Sequence, residues 1–379
     1  MQRFISLGVL SVLSLIPAIG LAAPNEGPGT SGRFSFNPPH STGWVFTETN
    51  DSAGNNVLVF ERAGDGSLTA RASVSTNGLG GTTSLGSEGS VVLSGDGRWL
   101  FAVNAGTSTL SVFRVTDSGI TLTDVAASGG DVPISVTEHD GLVYVLNAGD
   151  KQGISGFVLG RAGRLVPLPR STRSLSAASS VGPAQIKFSP DGRTLVVTEK
   201  TTNKVDSFPV RFDGTPGPAI VVDAVGVTPF GFDVDPLGTF VVSDATSGGA
   251  TSYRVDRHDV PVAVTGPLLD GQTAACWVTI PHDGRVAYVA NAGSDDLSVY
   301  GIGRGGTLTL LTGDGTTVST GPKSHPTDMG VSADDRFLYA LGTTDGSISG
   351  FRIAPSGGLD PLTTRVDGLP VTVAGLAAK

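Results

Sequence analysis

The stretch "VAYVANAGSDDLSVYGI", residues 286–302, joins two apolar runs through Asn-Ala-Gly and a polar turn. Nearly the same phrase occurs at residues 100–115, "LFAVNAGTSTLSVFRV", and at residues 142–159, "LVYVLNAGDKQGISGFVL". Alternating apolar residues predict β-strands. Asn tolerates left-handed backbone and Gly supplies positive φ, so the phrase predicts strand, tight turn, strand.

This phrase is the middle of a longer repeat. Each copy begins with a short strand and an "S-x-DG"-like turn, and it ends with "G-x-L" leading into a fourth strand. The copies start 44–51 residues apart, at Gly89, Pro133, Pro183, Pro229, Ala275 and Pro326. A period of this length with four strands per unit is typical of a β-propeller blade.

The two ends of the chain supply a seventh copy. Residues 43–74, "GWVFTETNDSAGNNVLVFERAGDGSLTARASV", give a second, third and fourth strand but no first strand. The C-terminal "PVTVAGLAA" from Pro370 resembles "PTDMGVSAD" from Pro326, which opens a blade. We therefore expect an all-β, seven-bladed propeller over residues 43–379, in which the C-terminal strand is the inner strand of blade one.

The N-terminus has the features of a signal peptide. Arg3 is followed by apolar residues 4–19 and by the small residues of "AIGLAAP". Residues 1–23 are predicted to be removed on export, and residues 24–42 form a Pro- and Gly-rich leader. We expect a secreted or periplasmic protein with no membrane insertion after removal of the signal. An anchoring helix is the alternative, which Pro17 disfavours.

Composition excludes one class of partner. The net charge of −9 argues against binding nucleic acid, which requires a basic surface. Cys276 is the single cysteine, so no intramolecular disulfide can form. Its context "AACWVTI" favours a buried hydrophobic role over a nucleophilic one. The sequence does not decide the oligomeric state.

Blade topology assigns loops to faces. The loops that lead into the inner strands and the turns after the second strands should share one face, where sites are usually built. These segments contribute Glu88, Ser90, Ser135, Gln185, Phe230, Trp277 and His325 from the loops, and Thr49, Asn104, Asn147, Glu199, Lys200, Asp244 and Asn291 from the turns.

Two blades carry a family resemblance. "GPAQIKFSPDGRTLVVTEK", residues 182–200, and "SHPTDMGVSADDRFLYALG", residues 324–342, resemble the seven-bladed lactonase family. That family contains cytosolic 6-phosphogluconolactonases and fungal carboxymuconate cyclases. The resemblance covers essentially the whole chain after the signal, and it implies the propeller fold and chemistry on a lactone.

The family's polar motifs are retained only in part. Gly-Pro-Arg-His and Asn-Glu in the family correspond here to residues 182–185, Gly-Pro-Ala-Gln, and to Thr198-Glu199. A second family histidine corresponds to Ser90. The resemblance implies a role for Glu199, whereas the Arg and His groups that would move protons are absent from the matching positions.

From these residues we predict catalytic roles for Glu199 as base, Lys200 as electrophile, and His325. A solvated turn at Glu199-Lys200 and a structural role for His325 are the alternatives. Predicted substrate-binding residues are Gln185, Asn104, Asn147, Asp244, Trp277 and Asn291; for the asparagines, turn chemistry is the alternative.

The predicted function is that of an exported lactonase-like enzyme that hydrolyses or forms an unphosphorylated lactone or similar sugar acid at the channel mouth. A phosphate would need several Arg or Lys there, and only Lys200 and Lys323 are candidates. The alternatives are a non-enzymatic propeller that binds a ligand or a protein, and a structural module. We predict no metal and no cofactor, with calcium held in the channel by Glu199 and the Asn and Asp residues as the alternative.

Overall fold

The computed structural model describes residues 43–379 except residues 314 and 316. The predicted signal peptide and leader lie outside this range. The described chain forms thirty β-strands in seven antiparallel sheets. It contains no helix long and apolar enough to cross a membrane. The prediction of an all-β, seven-bladed propeller is confirmed.

Each sheet is one blade, with its strands ordered from the innermost outwards. Blade 1 has β30 (Ala374–Ala378), β1 (Gly43–Glu48), β2 (Asn56–Arg62) and β3 (Leu68–Ser75). Blade 2 has β4 (Val91–Leu93), β5 (Trp99–Asn104), β6 (Thr109–Thr116) and β7 (Gly119–Ala127). Blade 3 has β8 (Pro133–His139), β9 (Leu142–Asn147), β10 (Gly153–Leu159) and an outer strand divided into β11 (Leu165–Pro167) and β12 (Arg173–Ser174).

The remaining blades follow the same order. Blade 4 has β13 (Pro183–Phe188), β14 (Thr194–Glu199), β15 (Lys204–Pro209) and β16 (Ile220–Asp223), and blade 5 has β17 (Pro229–Val234), β18 (Thr239–Asp244), β19 (Gly249–Val255) and β20 (Pro261–Leu269). Blade 6 has β21 (Ala275–Thr279), β22 (Val286–Asn291), β23 (Asp296–Ile302) and a divided outer strand, β24 (Leu308–Leu310) and β25 (Val318–Ser319). Blade 7 has β26 (Pro326–Val331), β27 (Phe337–Gly342), β28 (Ser347–Ile353) and β29 (Leu359–Pro361).

The C-terminal strand closes the ring as predicted. Strand β30 pairs antiparallel with β1, in a register that places Leu376 opposite Thr47. Trp44 and Lys379 exchange both backbone hydrogen bonds, at 3.2 and 2.7 Å. The strand begins at Ala374 rather than at Pro370, because the Val373 amide bonds back to the Pro370 carbonyl in a turn. The first and last described segments of the chain are thus joined within one sheet.

The hydrophobic core lies between neighbouring blades. The second strands are almost wholly buried, and "VAYVAN" of β22 is buried at every position. Tyrosine hydroxyls on second strands connect one blade to the next: Tyr288 donates to the Gly357 carbonyl at 2.9 Å and Tyr339 to the Gly66 carbonyl at 2.7 Å. The latter bond joins blade 7 to blade 1, so the side chains also close the ring.

Candidate functional site: the central channel

Inner strands present every second side chain to the channel. Along β13, Ala184, Ile186 and Phe188 are buried, and Ile186 and Phe188 pack against blade 3. The alternate residues, Gln185 and Lys187, line the channel cavity. This alternation follows from the two-residue period of a strand, and it brings one or two side chains per blade to the axis of the ring.

Most of these channel-facing polar groups connect neighbouring blades. The Ile186 amide donates to Ser135 Oγ at 3.2 Å, and the Phe232 amide donates to Gln185 Oε1. The Ile280 amide likewise donates to Asp233 Oδ2 at 2.8 Å. In each case the acceptor side chain belongs to the blade that precedes the donor's blade along the chain. Inner strands have an unpaired edge towards the channel, and these side chains satisfy its amides.

A segment of the loop before β4 crosses the channel. This crossing segment, residues 86–89, bonds to four other blades. Ser87 Oγ donates to the Ile134 carbonyl at 2.8 Å and the Glu88 amide donates to the Ala184 carbonyl at 3.2 Å. On the other side of the ring, the Gly89 amide donates to Asp328 Oδ1 at 3.3 Å. The segment thus touches blades 3, 4 and 7, besides its contacts with blade 6 through Trp277.

Two side chains predicted to act on a substrate, Trp277 and Lys200, hold the crossing segment. The Trp277 indole is 6% exposed, packs on Phe230 with ring centroids 4.9 Å apart, and donates from Nε1 to the Ser87 carbonyl at 3.0 Å. Lys200 Nζ donates to the Gly86 carbonyl and lies 4.6 Å from the centroid of the Phe230 ring. Burial lowers the pKa of Lys200. Gly86 and Gly89, at the two ends of the segment, both have positive φ.

Beneath the crossing segment lies a channel cavity of about 190 Å³. Its ionisable lining residues are Glu88, Lys187, Asp233 and Asp328, and Gln185 adds an amide. The Lys187 side chain is 38% exposed and pairs with Asp233 at 2.6 Å. Because Lys187 lies further along β13 than Gln185, away from the crossing segment, it marks the side of the cavity that solvent reaches.

The channel environment shifts the acid–base properties of these groups. Burial, reinforced by the charges of Asp328 and Asp233, raises the pKa of Glu88 well above its usual value. Burial raises the pKa of Asp328 to about 6, although amide hydrogen bonds from Gly89 and Gly375 oppose this shift. Burial alone would lower the pKa of Lys187, but Asp233 outweighs it and the net direction is upwards. The cavity therefore contains a carboxyl group with a strongly raised pKa, a second carboxyl group with a pKa of about 6, and a lysine that is paired with Asp233.

These three groups can in principle share a proton-transfer reaction. A carboxylate with a pKa near 6 is a base close to neutral pH, and a carboxyl with a raised pKa is an acid. An ammonium group stabilises negative charge that develops on an oxygen. Glu88 is fixed by the Val278 amide, which donates to its Oε2 at 3.2 Å.

The three residues predicted to be catalytic do not form one pocket. Glu199 is fully buried between blades 3 and 4, where Ser176 and Thr202 donate to it. His325 is exposed in the loop before β26, and its amide donates to Asp295 Oδ1 at 2.8 Å. Lys200 belongs to blade 4 and His325 to the loop before blade 7. These blades lie three positions apart, which is the largest separation that a ring of seven allows.

The other predicted binding residues divide into two groups. Gln185 lines the channel cavity. The second-strand residues are buried at the end of their strands and bond to the third strand of the same blade. Asn104 donates to Ser111 (2.8 Å), Asn147 to Ser155 (3.0 Å) and Asn291 to Ser298 (2.8 Å), whereas Asp244 accepts from Thr251 (2.6 Å). Their role in the structure is to join two strands.

Lys187, Asp233 and Asp328 were not among the residues predicted from the sequence, and Glu88 was placed on this face but not selected. A signal for two of them was present. Polar residues at alternate positions of an inner strand, as in "AQIKF" and "FGFDV", indicate a side that faces the channel. No comparable signal marks Glu88, because its position depends on the path of the crossing segment.

Comparison with protein families agrees with this architecture. The model of the family described as Lactonase, 7-bladed beta-propeller, matches residues 24–166, 135–276 and 260–374. The chain belongs to this lactonase family. A 6-phosphogluconolactonase from Serratia proteamaculans (strain 568) is 26% identical over 234 residues, which cover 62% of this chain and 68% of the relative.

Solved structures show the same fold at low sequence identity. The periplasmic gluconolactonase of Pseudomonas aeruginosa superposes with a TM-score of 0.68 at 18% identity, covering 89% of this chain and 98% of that one. A protein from Bacteroides uniformis ATCC 8492 superposes with a TM-score of 0.70 at 17% identity, covering 88% and 98%.

Strand register shows which position Glu199 occupies relative to the other blades of this chain. Glu199 pairs with Lys204, just as Asn104 pairs with Thr109 and Asn291 with Asp296. Glu199 therefore takes the place of the asparagine that ends the second strand, and Lys200 takes the place of the residue after it.

Proposed function

We propose that this protein is an exported lactonase that hydrolyses a small unphosphorylated lactone in the channel cavity. The observation that carries the proposal is that Glu88, Asp328 and Lys187 line one cavity of about 190 Å³. Family membership supports lactone chemistry, and the three groups supply an acid, a base and a positive charge. The site is within the channel, beneath the crossing segment, rather than at the mouth.

The proposed reaction uses each group once. Asp328 removes a proton from water, and the oxygen of that water forms a bond to the lactone carbonyl carbon. The Lys187 ammonium stabilises the negative charge on the carbonyl oxygen. The ring C–O bond then breaks, and its oxygen takes the proton of Glu88. The product is a hydroxy acid, and the proton held by Asp328 returns to Glu88 directly or through water.

Charge in the cavity supports an uncharged substrate. Three carboxyl groups, those of Glu88, Asp233 and Asp328, surround the single lysine of the cavity lining, which is already paired with Asp233. A phosphate carries nearly two negative charges at neutral pH and requires several Arg or Lys donors. A neutral lactone meets no such repulsion, and the carboxylate of the product would be repelled after ring opening.

Export is the second part of the proposal. It is supported by Arg3, apolar residues 4–19 and the small residues around Ala22 and Ala23. Expression with the native N-terminus in a bacterial host, followed by N-terminal sequencing of the secreted or periplasmic fraction, tests it. A mature chain that begins near Pro24 is expected. Recovery of the intact N-terminus in the cytosol would contradict export.

The enzymatic proposal is tested with a panel of unphosphorylated lactones, measured by pH-stat titration of the acid released. We expect turnover by the wild-type protein and a loss of about 10²–10⁴-fold in kcat for Asp328→Asn. Glu61→Gln is the matched control, since Glu61 pairs with Arg71 on blade 1, away from the channel. Turnover that survives Asp328→Asn would exclude this residue as the base.

A non-enzymatic binding propeller is the second candidate function. The observation in its favour is that Gln185, Asp233 and Asp328 already accept hydrogen bonds from neighbouring amides, as purely structural residues would. This candidate predicts saturable heat on titration with a sugar acid or lactone, without release of acid. Turnover in the lactone panel would exclude it.

A further inference from the structure

One buried pair of residues recurs from blade to blade. In blade 2, Ser111 pairs with Ala102, which comes two residues before Asn104 in β5. Ser111 and Asn104 therefore lie on the same side of the sheet. The register is the same for Ser298 and Asn291 in blade 6. In blades 2, 3, 5 and 6 one member of the pair is a Ser or Thr hydroxyl and the other is an asparagine or an aspartate. The two are joined by a hydrogen bond of 2.6–3.0 Å.

Blade 4 departs from this pattern. Asp206 lies opposite Val197, two residues before Glu199, so Glu199 and Asp206 occupy the two places of the pair. Both residues are fully buried. The pair therefore has two carboxyl groups in blade 4, where the pairs of those four blades have at most one. Two adjacent buried carboxylates repel each other and lose their hydration, which makes the bare pair costly.

The amide and hydroxyl donors of Ser176 and the hydroxyl of Thr202 bond to Glu199. The Ser176 amide donates to Glu199 Oε1 at 2.8 Å, and the hydroxyls of Ser176 and Thr202 both donate to Glu199 Oε2. Neither carboxylate oxygen of Asp206 has a hydrogen-bond partner among the described residues. Lys204, opposite Glu199 in the ladder, extends outwards to pair with Asp223. Two buried oxygens of one carboxyl group thus lack a hydrogen-bond partner within the described part of the chain.

We propose that Glu199 and Asp206 bind a divalent cation, with calcium preferred, between blades 3 and 4. The ligands available are hard oxygens: two carboxylates and the hydroxyls of Ser176 and Thr202, which can turn their lone pairs to a cation. A calcium ion accepts such an irregular oxygen shell, whereas magnesium demands near-octahedral geometry. A cation here would cross-link two blades in a chain whose single cysteine is free.

The charge count sets the expected affinity. The described residues contain no group of three or more His, Cys, Asp or Glu that could hold a metal, so this site relies on two acids. Calcium sites of low charge bind with a Kd of about 10⁻⁴–10⁻³ M, which suits extracellular calcium. The site is separate from the channel cavity, so it does not depend on the proposed enzymatic function.

Calorimetric titration of chelator-treated protein with CaCl₂, together with thermal unfolding, tests the site. Wild type should bind one calcium per chain, and about 10 mM calcium should raise its Tm by about 2–5 °C. Asp206→Ser restores the hydroxyl that other blades have. It should abolish both effects, and without calcium its Tm should match or exceed that of wild type, because the repulsion is removed.

Two further variants keep the test decisive. Asp244→Asn changes the corresponding acid of blade 5, whose partner is the Thr251 hydroxyl, and it should retain calcium binding. If Asp206→Ser does not fold, Asp206→Asn gives the same readout with nearly the same shape. No calcium heat in wild type would overturn the proposal, as would equal binding by Asp206→Ser. Wild-type stability that does not respond to calcium but has a pH dependence that Asp206→Ser removes would overturn it too, and would show that a shared proton occupies the pair instead.

Discussion

Glu88 Oε2 occupies the space in which a side chain on Gly231 would begin. A Cβ built on Gly231 would lie 1.9 Å from this oxygen and 2.7 Å from the Cys276 carbonyl. Both distances are under 3.0 Å, closer than a Cβ atom approaches a neighbouring heavy atom. The absence of a side chain at this position of β17 is therefore what allows the carboxyl group of the crossing segment to reach the centre of the ring.

Gly231→Ala should displace Glu88 and destabilise the protein. The φ of Gly231 is not positive, so the cost comes from crowding rather than from the backbone. We expect a loss of about 1–3 kcal/mol in the free energy of unfolding, measured by urea denaturation, and loss of lactone turnover. Gly54→Ala is the control, since no atom of the described residues lies within 4 Å of a Cβ there. Equal stability of the two variants would contradict the placement of Glu88.

Ring closure makes a second prediction. Leu376 is 6% exposed on β30 and packs with the residues between blades 7 and 1, whereas Val371, five residues earlier, is 68% exposed. Leu376→Ser should lower the free energy of unfolding by about 2–5 kcal/mol, as truncation of a buried leucine does. Val371→Ser should change it by less than about 0.5 kcal/mol. Similar effects at the two positions would mean that the last strand does not close the ring in solution.

The fold could be predicted from the sequence because six blades each encode their four strands in one continuous segment, and the two ends of the chain supply the seventh. Turn signals such as "S-x-DG" act locally: in blade 4 the Ser189 hydroxyl bonds to Asp191 at 2.7 Å. In blade 7 Ser332 bonds to Asp334 at 2.6 Å. Seven such copies also imply closure, because an open ring would leave a strand edge unpaired. The prediction of β30 was early by four residues, since "PVTV" reads as a strand but forms a turn.

The channel site could not be predicted in the same way, because it depends on contacts between distant blades. Glu88 reaches the centre only through a loop whose path has no sequence period, and its partner amide belongs to Val278. Conversely, Glu199 was predicted to be the base because the family resemblance implies a role for it. The two-residue period of β14 places the Glu199 side chain between two blades. The local sequence does not show which side of a blade packs against its neighbour.

Buried Glu48 makes stability depend on pH. Burial raises its pKa from 4.5 to about 8, against the hydrogen bond that Asn55 donates at 2.7 Å, and its Oε1 has no partner in the described part of the chain. A group whose pKa is raised by folding stabilises the protein fully below its unfolded pKa, and this contribution is lost as pH rises through about 8. The free energy of unfolding should therefore fall between about pH 4.5 and pH 8.

Glu48→Gln tests this prediction, because glutamine has nearly the same shape and cannot ionise. Urea denaturation across the pH range, in the presence of a chelator, should give a shallower pH dependence and a higher stability than wild type at pH 8. Glu61→Gln, on the outer side of the same blade, should keep the wild-type slope. A slope unchanged by Glu48→Gln would show that Glu48 is ionised in the folded protein or titrates normally.

The raised pKa of Asp328 leads to a prediction for the pH dependence of activity. Its pKa of about 6 means that it is protonated in acid and ionised at neutral pH. If Asp328 is the base, kcat/KM for lactone hydrolysis should rise about tenfold per pH unit below pH 6 and level off above it. Asp328→Asn should remove this rise together with most of the activity. Asp328 also accepts hydrogen bonds from the Gly89 and Gly375 amides, so its replacement could weaken the fold. The free energy of unfolding of Asp328→Asn should therefore be measured beside its rate and should be close to that of wild type. If kcat/KM still rises with pH in Asp328→Asn, another group is responsible for the rise. Glu88→Gln, which removes the proposed acid and leaves Asp328, would then show whether that group is Glu88.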